Sequence, residues 1–205
     1  MNITHRDKKV NFQLSSRHRS ILIGSLLGDA NMHIKGNSHR VLFKHGERQA
    51  ALLIWKRQEF NSITGMKINY FQQMVKGKEY GFCQFVTLTH PEFSEIYKLF
   101  YVRKSKIVPH EISRLLKDPL SLAVWIMDDG ARDNVGLTLQ THSFSIRGVE
   151  RLRRSLKLNF NLKTNSRKNR GSLIIYFPKS EIPKLWNLVR KYVLPEYKYK
   201  FPLTP

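Results

Sequence analysis

Leu22-Ile23-Gly24-Ser25-Leu26-Leu27-Gly28-Asp29 is a short apolar run that ends in a carboxylate. Leu122-Ala123-Val124-Trp125-Ile126-Met127-Asp128-Asp129 repeats this layout in the second half of the chain. Each run predicts a buried helix with an acid at its C-terminal end. Because a carboxylate that is buried without a partner is costly, the paired runs predict that these acids serve a function.

Gly24 and Gly28 stand four residues apart in the first predicted helix. Each glycine in a helix costs roughly 1 kcal/mol relative to alanine, so two of them need a compensating reason. Small residues four positions apart let the backbones of two helices approach closely, and this spacing therefore predicts close packing against a second helix. If the two runs pack side by side, Asp29 and Asp129 meet, and their repulsion raises a carboxyl pKa unless a cation lies between them. Oxygen ligands favour Mg²⁺ or a similar hard ion. Two plainer interpretations stay open for each acid alone: a helix end turned to solvent for Asp29, and a simple turn for Asp128-Asp129-Gly130.

The residues around the two runs predict the same order of elements, αββαββα, in each half, and therefore an α+β fold. In the first half we predict a hairpin turning at residues 35–38, a helix over 47–60, a hairpin of strands 67–75 and 80–88, and a helix from 90 to about 101. In the second half we predict a strand at 137–139, a helix from Ser145, a hairpin of strands 162–164 and 173–177 with a turn at 169–171, and a helix after Pro178.

Three segments organise the chain: a flexible basic arm over residues 1–16, a first half over 17–108 and a second half over 109–205. The arm has no apolar core of a signal peptide. The longest apolar stretches fall well short of the ~20 residues that a membrane-spanning helix needs. We therefore expect a protein that is neither inserted into a membrane nor secreted.

The charge balance favours a polyanionic partner. The chain has 36 Lys and Arg against 15 Asp and Glu, a formal net charge of +21 and a pI of about 10.3. Such an excess favours a nucleic acid, with a ribosome-associated or merely solvated basic protein as the alternative. Basic residues cluster on the predicted hairpins, where a sheet with one apolar and one basic face can lie along a DNA groove. The predicted DNA contacts are Lys35, His39, Arg40, Lys44, Lys67, Lys76, Lys78, Arg132, Lys163, Arg167, Lys168 and Arg170.

The two acidic runs carry a family resemblance. The block over residues 119–130, with Thr141-His142-Ser143-Phe144 and Tyr199-Lys200-Phe201-Pro202, resembles the LAGLIDADG homing endonucleases, in the single-chain, two-motif group encoded in rRNA-gene introns. The resemblance extends over most of the chain from about Ile21. It implies two pseudo-symmetric αββαββα halves, with motif helices at their interface, that form a DNA-binding saddle of antiparallel sheets. It also implies a monomer that cuts both strands of a long site across the minor groove and leaves short 3′ overhangs.

Matched by position, the resemblance assigns metal binding and catalysis to Asp29 and Asp129, and it places active-site lysines at Lys106 and Lys200. The register of the motif favours Asp129 over its neighbour Asp128 as the side-chain ligand. The implied ion is Mg²⁺, with Mn²⁺ able to substitute and Ca²⁺ binding without cleavage. The expected chemistry is metal-assisted phosphodiester hydrolysis, with the lysines stabilising charge or polarising the attacking water. Ordinary phosphate contact is the alternative role for both lysines.

Four further groups complete the expected site. The backbone carbonyls of Gly28 and Asp128 are candidate additional metal ligands. Gln84 and Gln140, on strands expected to face the groove, are candidate water-positioning groups. The second run departs from the family pattern at Val124, which stands where a small residue helps the helices approach.

The main alternative function is an RNA-binding maturase that helps its host intron fold, with the intron RNA as partner. A regulator that only binds DNA is disfavoured, because a pure binder has no need for paired acids opposite DNA. An intein is disfavoured because the sequence runs from Met1-Asn2 to Thr204-Pro205 without a splicing nucleophile or a terminal His-Asn. We expect the protein wherever its host intron resides: a mitochondrion, a chloroplast or the bacterial cytoplasm.

Overall fold

The computed structural model describes residues 13–169 and 171–202. The first half contains α1 (Ser16–Leu27), β1 (Asn31–Lys35), β2 (Ser38–Gly46), α2 (Ala50–Glu59), β3 (Asn69–Val75), β4 (Lys78–Val86) and α3 (Pro91–Phe100). A short hairpin, β5 (Tyr101–Val102) and β6 (Ser105–Lys106), and the one-turn helix α4 (Ile112–Leu115) follow. The second half contains α5 (Pro119–Asp129), β7 (Gly130–Asp133), β8 (Gly136–Leu139), α6 (Ile146–Phe160), β9 (Asn165–Asn169), β10 (Ser172–Phe177) and α7 (Ile182–Val189). Short 3₁₀ turns lie at Glu47–Gln49, Asn61–Ile63, Lys179–Glu181 and Pro195–Lys200.

This order confirms the predicted α+β class with an αββαββα arrangement in each half. The four long strands of each half form one antiparallel sheet, in the order β1-β2-β4-β3 in the first half and β7-β8-β10-β9 in the second. The two sheets therefore have the same topology, as expected for a structural repeat. The connection β5–β6–α4 lies outside the repeat.

Contacts divide the described residues into two compact units. One unit contains the residues up to Arg19 and Asp29–Lys98, and the other contains Ser20–Gly28 and the residues from Leu99 onward. Most of α1 thus belongs to the same unit as α5. The expected halves, 17–108 and 109–205, follow the sequence repeat rather than these contacts, and their boundaries stay a prediction.

An aromatic cluster forms the core of the unit that holds β1–β4. Phe43 stacks on Phe85 with 4.8 Å between ring centroids and lies 5.2 Å from Phe60. All three side chains are at most 1% exposed. Because side chains alternate along a strand, Phe43 places Val41 and His45 on the same core-facing side of β2.

Capped helices organise the unit that holds the second sheet. The Ser145 hydroxyl accepts a hydrogen bond from the Gly148 amide at the start of α6 (3.2 Å), as the predicted start of this helix requires. Asn161 ends α6 in a left-handed conformation (φ 54°). The apolar face of α6, with Leu152 and Leu156, is fully buried.

Two parts of the second half differ from the sequence-based prediction. The residues 162–164 were predicted as a strand, but the strand is Asn165–Asn169. Leu162 instead closes the end of α6, where its amide donates to the Leu156 carbonyl (3.2 Å). The edge strand Gly130–Asp133 was not predicted, because its polar and small residues lack the alternation that marks a strand.

Most of the expected basic arm, residues 1–12, lies outside the described residues. Its last described part is anchored, because Leu14 is only 5% exposed and its amide donates to Glu92 Oε1 (3.2 Å). Arg170, one of the predicted DNA contacts, also lies outside the described residues. Among the helices of the described ranges, none combines the length and apolar character required to cross a membrane.

Candidate functional site

The segment Ser20–Gly28 packs against α5 through its two glycines. A Cβ atom at Gly24 would collide with the Ser121 carbonyl oxygen and lie 2.8 Å from Val124 Cβ, and one at Gly28 would lie 2.6 Å from Asp128 Cβ. Real Cβ atoms essentially never approach so closely, so this contact has room only for glycine at these two positions. The spacing of the glycines therefore indicated a true helix contact, and Val124 fits because it lies against Gly24.

The N-terminal ends of this helix contact are joined by a hydrogen bond. Ser20 Oγ donates to Asp118 Oδ2 (2.7 Å), while Asp118 Oδ1 accepts from the Leu120 amide (2.9 Å) and caps α5. Asp118 thus both begins α5 and fixes the Ser20–Gly28 segment alongside it.

Both predicted active-site lysines lie at the backbone of the motif runs. Lys106 Nζ donates to the Gly28 carbonyl (2.9 Å), directly before Asp29. Lys200, only 4% exposed, donates to the carbonyls of Met127 (2.5 Å) and Asp128 (3.0 Å), directly before Asp129. Cations are favourable at a helix C-terminus, where carbonyls lack helical partners. Each lysine therefore stabilises the end of one motif run.

The same lysine hydrogen bonds involve the two backbone carbonyls that were expected to bind the metal ion. The carbonyls of Gly28 and Asp128, which were expected to bind metal, already accept an ammonium N–H. A carbonyl oxygen has two lone pairs, so a hydrogen bond from a lysine does not by itself prevent it from binding a metal ion.

The structure distinguishes the neighbouring acids of the second motif by exposure. Asp128 is 5% exposed and packs against Gly28, whereas Asp129, at the C-terminal end of α5, is half-buried. The Asp129 carbonyl accepts a hydrogen bond from the Gln140 amide (3.1 Å), which ties the end of α5 to the end of β8. In the other unit, the Asp29 side chain is 41% exposed. The two acids selected from the sequence are thus the accessible ones.

Asp29 has a buried basic neighbour, His45, which in turn contacts a buried lysine, and the sequence revealed neither contact. Its Oδ2 lies 3.2 Å from Nδ1 of His45, whose side chain is 1% exposed. The other ring nitrogen of His45, Nε2, lies 3.3 Å from Nζ of Lys56, which is fully buried. A signal did exist: the helical period places Lys56 on the apolar face of α2, with Leu52 and Leu53.

One face of the first sheet gathers basic and amide side chains. Strand pairing and alternation place Lys44 beside Gln84, opposite the face of the buried Phe43 and Phe85. Lys44 Nζ lies over the ring of Phe82 (4.3 Å) and donates to Gln73 Oε1 (2.6 Å). The predicted DNA-contacting residues that share this face are Lys35, Arg40, Lys44 and Lys78.

Three other predicted contacts of the first half lie elsewhere. His39 faces α3, where its ring stacks on Tyr97 (4.0 Å between centroids) and Nδ1 lies 2.9 Å from Ser94 Oγ. Burial, and to a smaller extent the Lys98 charge, lowers the pKa of His39. Lys67 precedes β3, and Lys76 lies at the tip of the β3–β4 turn with φ of 50°.

The predicted contacts of the second half are spread over different surfaces. Arg167 lies over the Tyr176 ring, with its guanidinium carbon 3.2 Å from the centroid, and pairs with Asp133 (2.7 Å). Arg132 and Lys168 lie at strand positions that belong to the opposite face of the sheet from Arg167. Lys163 does not lie on a strand. It borders a cleft of about 290 Å³ beside α6, together with Glu150, Arg153, Arg154, Lys157, Leu162 and Thr164.

Gln84 and Gln140, the expected water-positioning groups, are both partly exposed. Gln84 pairs with Lys44 across the β2–β4 ladder. Gln140 Oε1 lies 2.8 Å from Nε2 of His142.

A family model described as the LAGLIDADG DNA endonuclease family matches residues 19–185, which include both motif runs and both sheets. The chain belongs to this family. This LAGLIDADG protein is similar to the cytochrome b mRNA maturase bI2 of Debaryomyces hansenii. The two are 32% identical over 95% of this chain and 78% of that relative. The chain is also 29% identical to a probable intron-encoded endonuclease 1 of Wickerhamomyces canadensis, over 91% of this chain and 84% of that relative.

A solved structure, described as the homing endonuclease I-WcaI bound to its DNA recognition sequence, has the same fold. Its TM-score is 0.89 with 25% sequence identity, covering 100% of this chain and 95% of that one. This likeness confirms the LAGLIDADG homing endonuclease fold predicted from the sequence, with both motif runs in one chain.

Proposed function

We propose that this LAGLIDADG protein is a monomeric, site-specific endonuclease that cuts both strands of a long DNA target and leaves short 3′ overhangs. The observation that carries the proposal is the repeat at the two motif ends: Asp29 and Asp129 each end an otherwise buried run, and a lysine donates to the carbonyl directly before each of them. An acid and a lysine at the same position of both halves are groups that metal-assisted phosphodiester hydrolysis can use. The name of the I-WcaI complex supports DNA as the substrate class.

The donor atoms available at the motif ends fit a hard divalent cation. Asp29 and Asp129 would supply carboxylate oxygens, the ligand type that Mg²⁺ and Mn²⁺ prefer. The Cys83 thiol is buried and donates to the His45 carbonyl (Sγ to O, 3.7 Å), so a soft ligand is not offered at Asp29. We propose Mg²⁺ as the native ion, Mn²⁺ as a substitute and Ca²⁺ as an ion that supports binding without cleavage. When bound, such an ion neutralises charge on the scissile phosphate and acidifies the attacking water.

Two lysine side chains hold the ends of the motif runs in place. Lys106 and Lys200 orient the motif ends through the carbonyls that precede Asp29 and Asp129, and their positive charges favour the developing negative charge of the reaction. With Met127, Asp128 and the more distant Ile126 carbonyl (3.4 Å), Lys200 has acceptors for all three of its N–H donors. We therefore propose that Lys200 acts through α5 rather than by contacting a phosphate.

DNA binding is proposed for the outward sheet faces. In the first sheet Lys35, Arg40, Lys44 and Lys78 would contact phosphates, and Gln84 has the amide chemistry that reads adenine or positions water. In the second sheet Arg167 and Gln140 are the corresponding candidates. Since His39 is packed against α3, we assign it no DNA contact.

A second function, intron RNA maturation, is favoured by one observation. The Debaryomyces relative, which is named as a maturase, aligns with 95% of this chain. We propose intron RNA as a second partner and residence in the organelle that contains the host intron. The names of the cytochrome b maturases favour an organellar messenger-RNA gene as host, while the rRNA-gene host stays a prediction.

The function is tested by selecting cleaved sites from a randomised DNA library in Mg²⁺. We expect one long target with short 3′ overhangs. Asp29→Asn and Asp129→Asn should each lower cleavage by about 10²- to 10³-fold or more, since loss of a single charge-stabilising group already costs about 10²- to 10³-fold. DNA affinity should be kept, because both variants retain the basic side chains that are proposed to contact phosphates. Full cleavage by both variants would contradict the assignment.

Glu95→Gln is the matched control, since it removes one carboxylate from an exposed i,i+3 pair with Lys98 on α3. Cleavage by this variant should equal that of the wild type. Splicing of the host intron in the presence of the protein tests the maturase function separately. Splicing stimulation by a wild type that cuts no library member would favour the maturase over the endonuclease.

A further inference from the structure

A lysine and an amide are in contact on the outward face of the first sheet, near the point where β2 ends. The last residue of β2, Gly46, pairs with Phe82 of β4, and among the described strands only β3 and β4 continue beyond it. In this two-stranded part Gln73 pairs with Tyr80, and both residues are exposed. A two-stranded ribbon can enter the major groove of DNA, where the edges of the bases are read.

Two aromatic rings hold the lysine beside this amide. The rings of Phe71 and Phe82 stack with 5.9 Å between their centroids. Lys44 Nζ lies 4.3 Å from the centre of the Phe82 ring and 5.1 Å from that of Phe71. Because an ammonium group is attracted to the face of an aromatic ring, these contacts restrict the position of Nζ. From there Nζ donates to Gln73 Oε1 (2.6 Å).

The lysine determines which atom of the Gln73 amide is left for another partner. An ammonium group has three N–H donors and no acceptor, so the amide atom beside it must be the oxygen. The NH₂ group of Gln73 is then directed away from Lys44 and offers donors only. Lys44 keeps two further N–H donors for the phosphate contact proposed above.

A donor-only amide selects a different base from a free one. A free glutamine reads adenine, because it accepts from N6 and donates to N7. With Oε1 of Gln73 engaged by Lys44, the neighbouring ammonium repels a second donor such as the adenine N6–H₂ group. Guanine presents two acceptors in the major groove, O6 and N7, whereas thymine presents one, beside a methyl group. The arrangement therefore favours guanine.

We propose that Gln73 is a specificity-determining residue that reads guanine in the DNA target, and that Lys44 positions its amide for this contact. The choice of base rests on the endonuclease function proposed above, whereas the contact between Lys44 and Gln73 does not. The sequence alone could not select Gln73, because its neighbour Gln72 has the same chemistry on the opposite face of the strand.

The base is identified by selecting bound members of a randomised DNA library without Mg²⁺, so that the result does not depend on cleavage. One position should prefer guanine by about 5-fold or more in the wild type and lose this preference in Gln73→Ala. Gln72→Ala is the matched control and should keep every base preference. A different base at the position that depends on Gln73, or no such position, would overturn the proposal.

The positioning role of the lysine is tested by Lys44→Met, which keeps an apolar stem beside the two rings and removes the donor to Oε1. The freed amide can then accept as well as donate, so the preference at the same position should change from guanine to adenine. Lys78→Met removes the same charge from the same face, where Lys78 pairs with Val75. It should weaken binding to all sequences alike and leave guanine preferred. Guanine still preferred in Lys44→Met would refute the role of Lys44.

Base analogues test the contact in the wild-type protein, without any substitution in the chain. Hypoxanthine retains the O6 and N7 acceptors of guanine, so a target with hypoxanthine at this position should keep its affinity. A target with 2-aminopurine, which lacks O6, should bind about 5-fold or more weakly. Equal affinity for both analogues would show that Gln73 does not read this edge.

Failure of the proposed function gives a different result from failure of this inference. Specific binding and cutting of a target that has no guanine preference dependent on Gln73 would overturn this inference alone. A wild type that neither binds nor cuts any library member specifically would overturn the endonuclease, and the reading of guanine with it.

Discussion

At the residue scale, the sequence located the acids but not their support. Asp29 and Asp129 could be selected because each ends an apolar run, and exposure separates Asp129 from Asp128. His45 and Lys56 could not be selected, since their contacts join β2 to α2 and back to the end of the first motif run. A lysine on an apolar helix face was the available signal, but its partner depends on tertiary packing.

His39 was predicted to contact DNA, but the structure places its side chain against α3. A basic strand residue in a DNA-binding sheet was expected to face DNA, yet its ring stacks on Tyr97 of α3. Burial lowers the pKa of His39 below its usual value of 6.5, with a smaller contribution from the Lys98 charge. The unfolded chain therefore binds the proton more readily than the folded protein. Protonation of His39 thus lowers the free energy of unfolding as the pH falls below about 6.5.

We expect His39→Gln to reduce the loss of stability between pH 7.5 and pH 5. The measurement is urea unfolding of both proteins at the two pH values. His110→Gln, at an exposed position, is the control and should retain the wild-type loss. An identical pH dependence in wild type and His39→Gln would contradict this account.

At the element scale, local signals predicted most of the helices and strands of the repeat, although they missed β7 and misplaced β9. Ser145 begins α6, and Pro91 opens α3 at the first helical position. The hairpin β5–β6 was missed because its strands have two residues each, too few for any periodicity. The predicted strand at 162–164 failed because alternation over three residues also fits a chain that closes a helix end.

Gly24 decides how closely the motif helix can approach α5. Gly24→Ala would improve helix propensity by roughly 1 kcal/mol in isolation. In the folded protein the new Cβ meets the Ser121 carbonyl and Val124, so we expect a net loss of about 1–3 kcal/mol. Denaturant unfolding measures this change.

Gly46→Ala is the matched control, because a Cβ there meets nothing within 4 Å and φ is −62°. Its effect should stay within about 0.5 kcal/mol, as for ordinary surface changes. Gly24→Ala with wild-type stability would show that the two motif runs do not pack as described.

At the scale of the whole molecule, the net charge of +21 predicted a polyanionic partner but not which surfaces bind it. Basic residues also lie away from the sheet faces. Arg154 and Lys157 border the cleft beside α6, a helix that packs on β10 with its apolar side. Composition counts all these charges equally, whereas a single duplex on a sheet face contacts only the residues on that face.

Salt dependence separates the two groups of charges. DNA affinity falls with salt by roughly 0.9 log unit per log unit of salt for each phosphate contacted. Replacing Lys35 and Lys44 of the first sheet face by Gln should therefore reduce the slope by up to about 1.8. Arg154→Gln with Lys157→Gln removes the same charge from the α6 side and should leave the slope of DNA binding nearly unchanged. Equal reductions by both pairs would mean that DNA responds to the total charge of the protein, and the assignment of the sheet face would be lost.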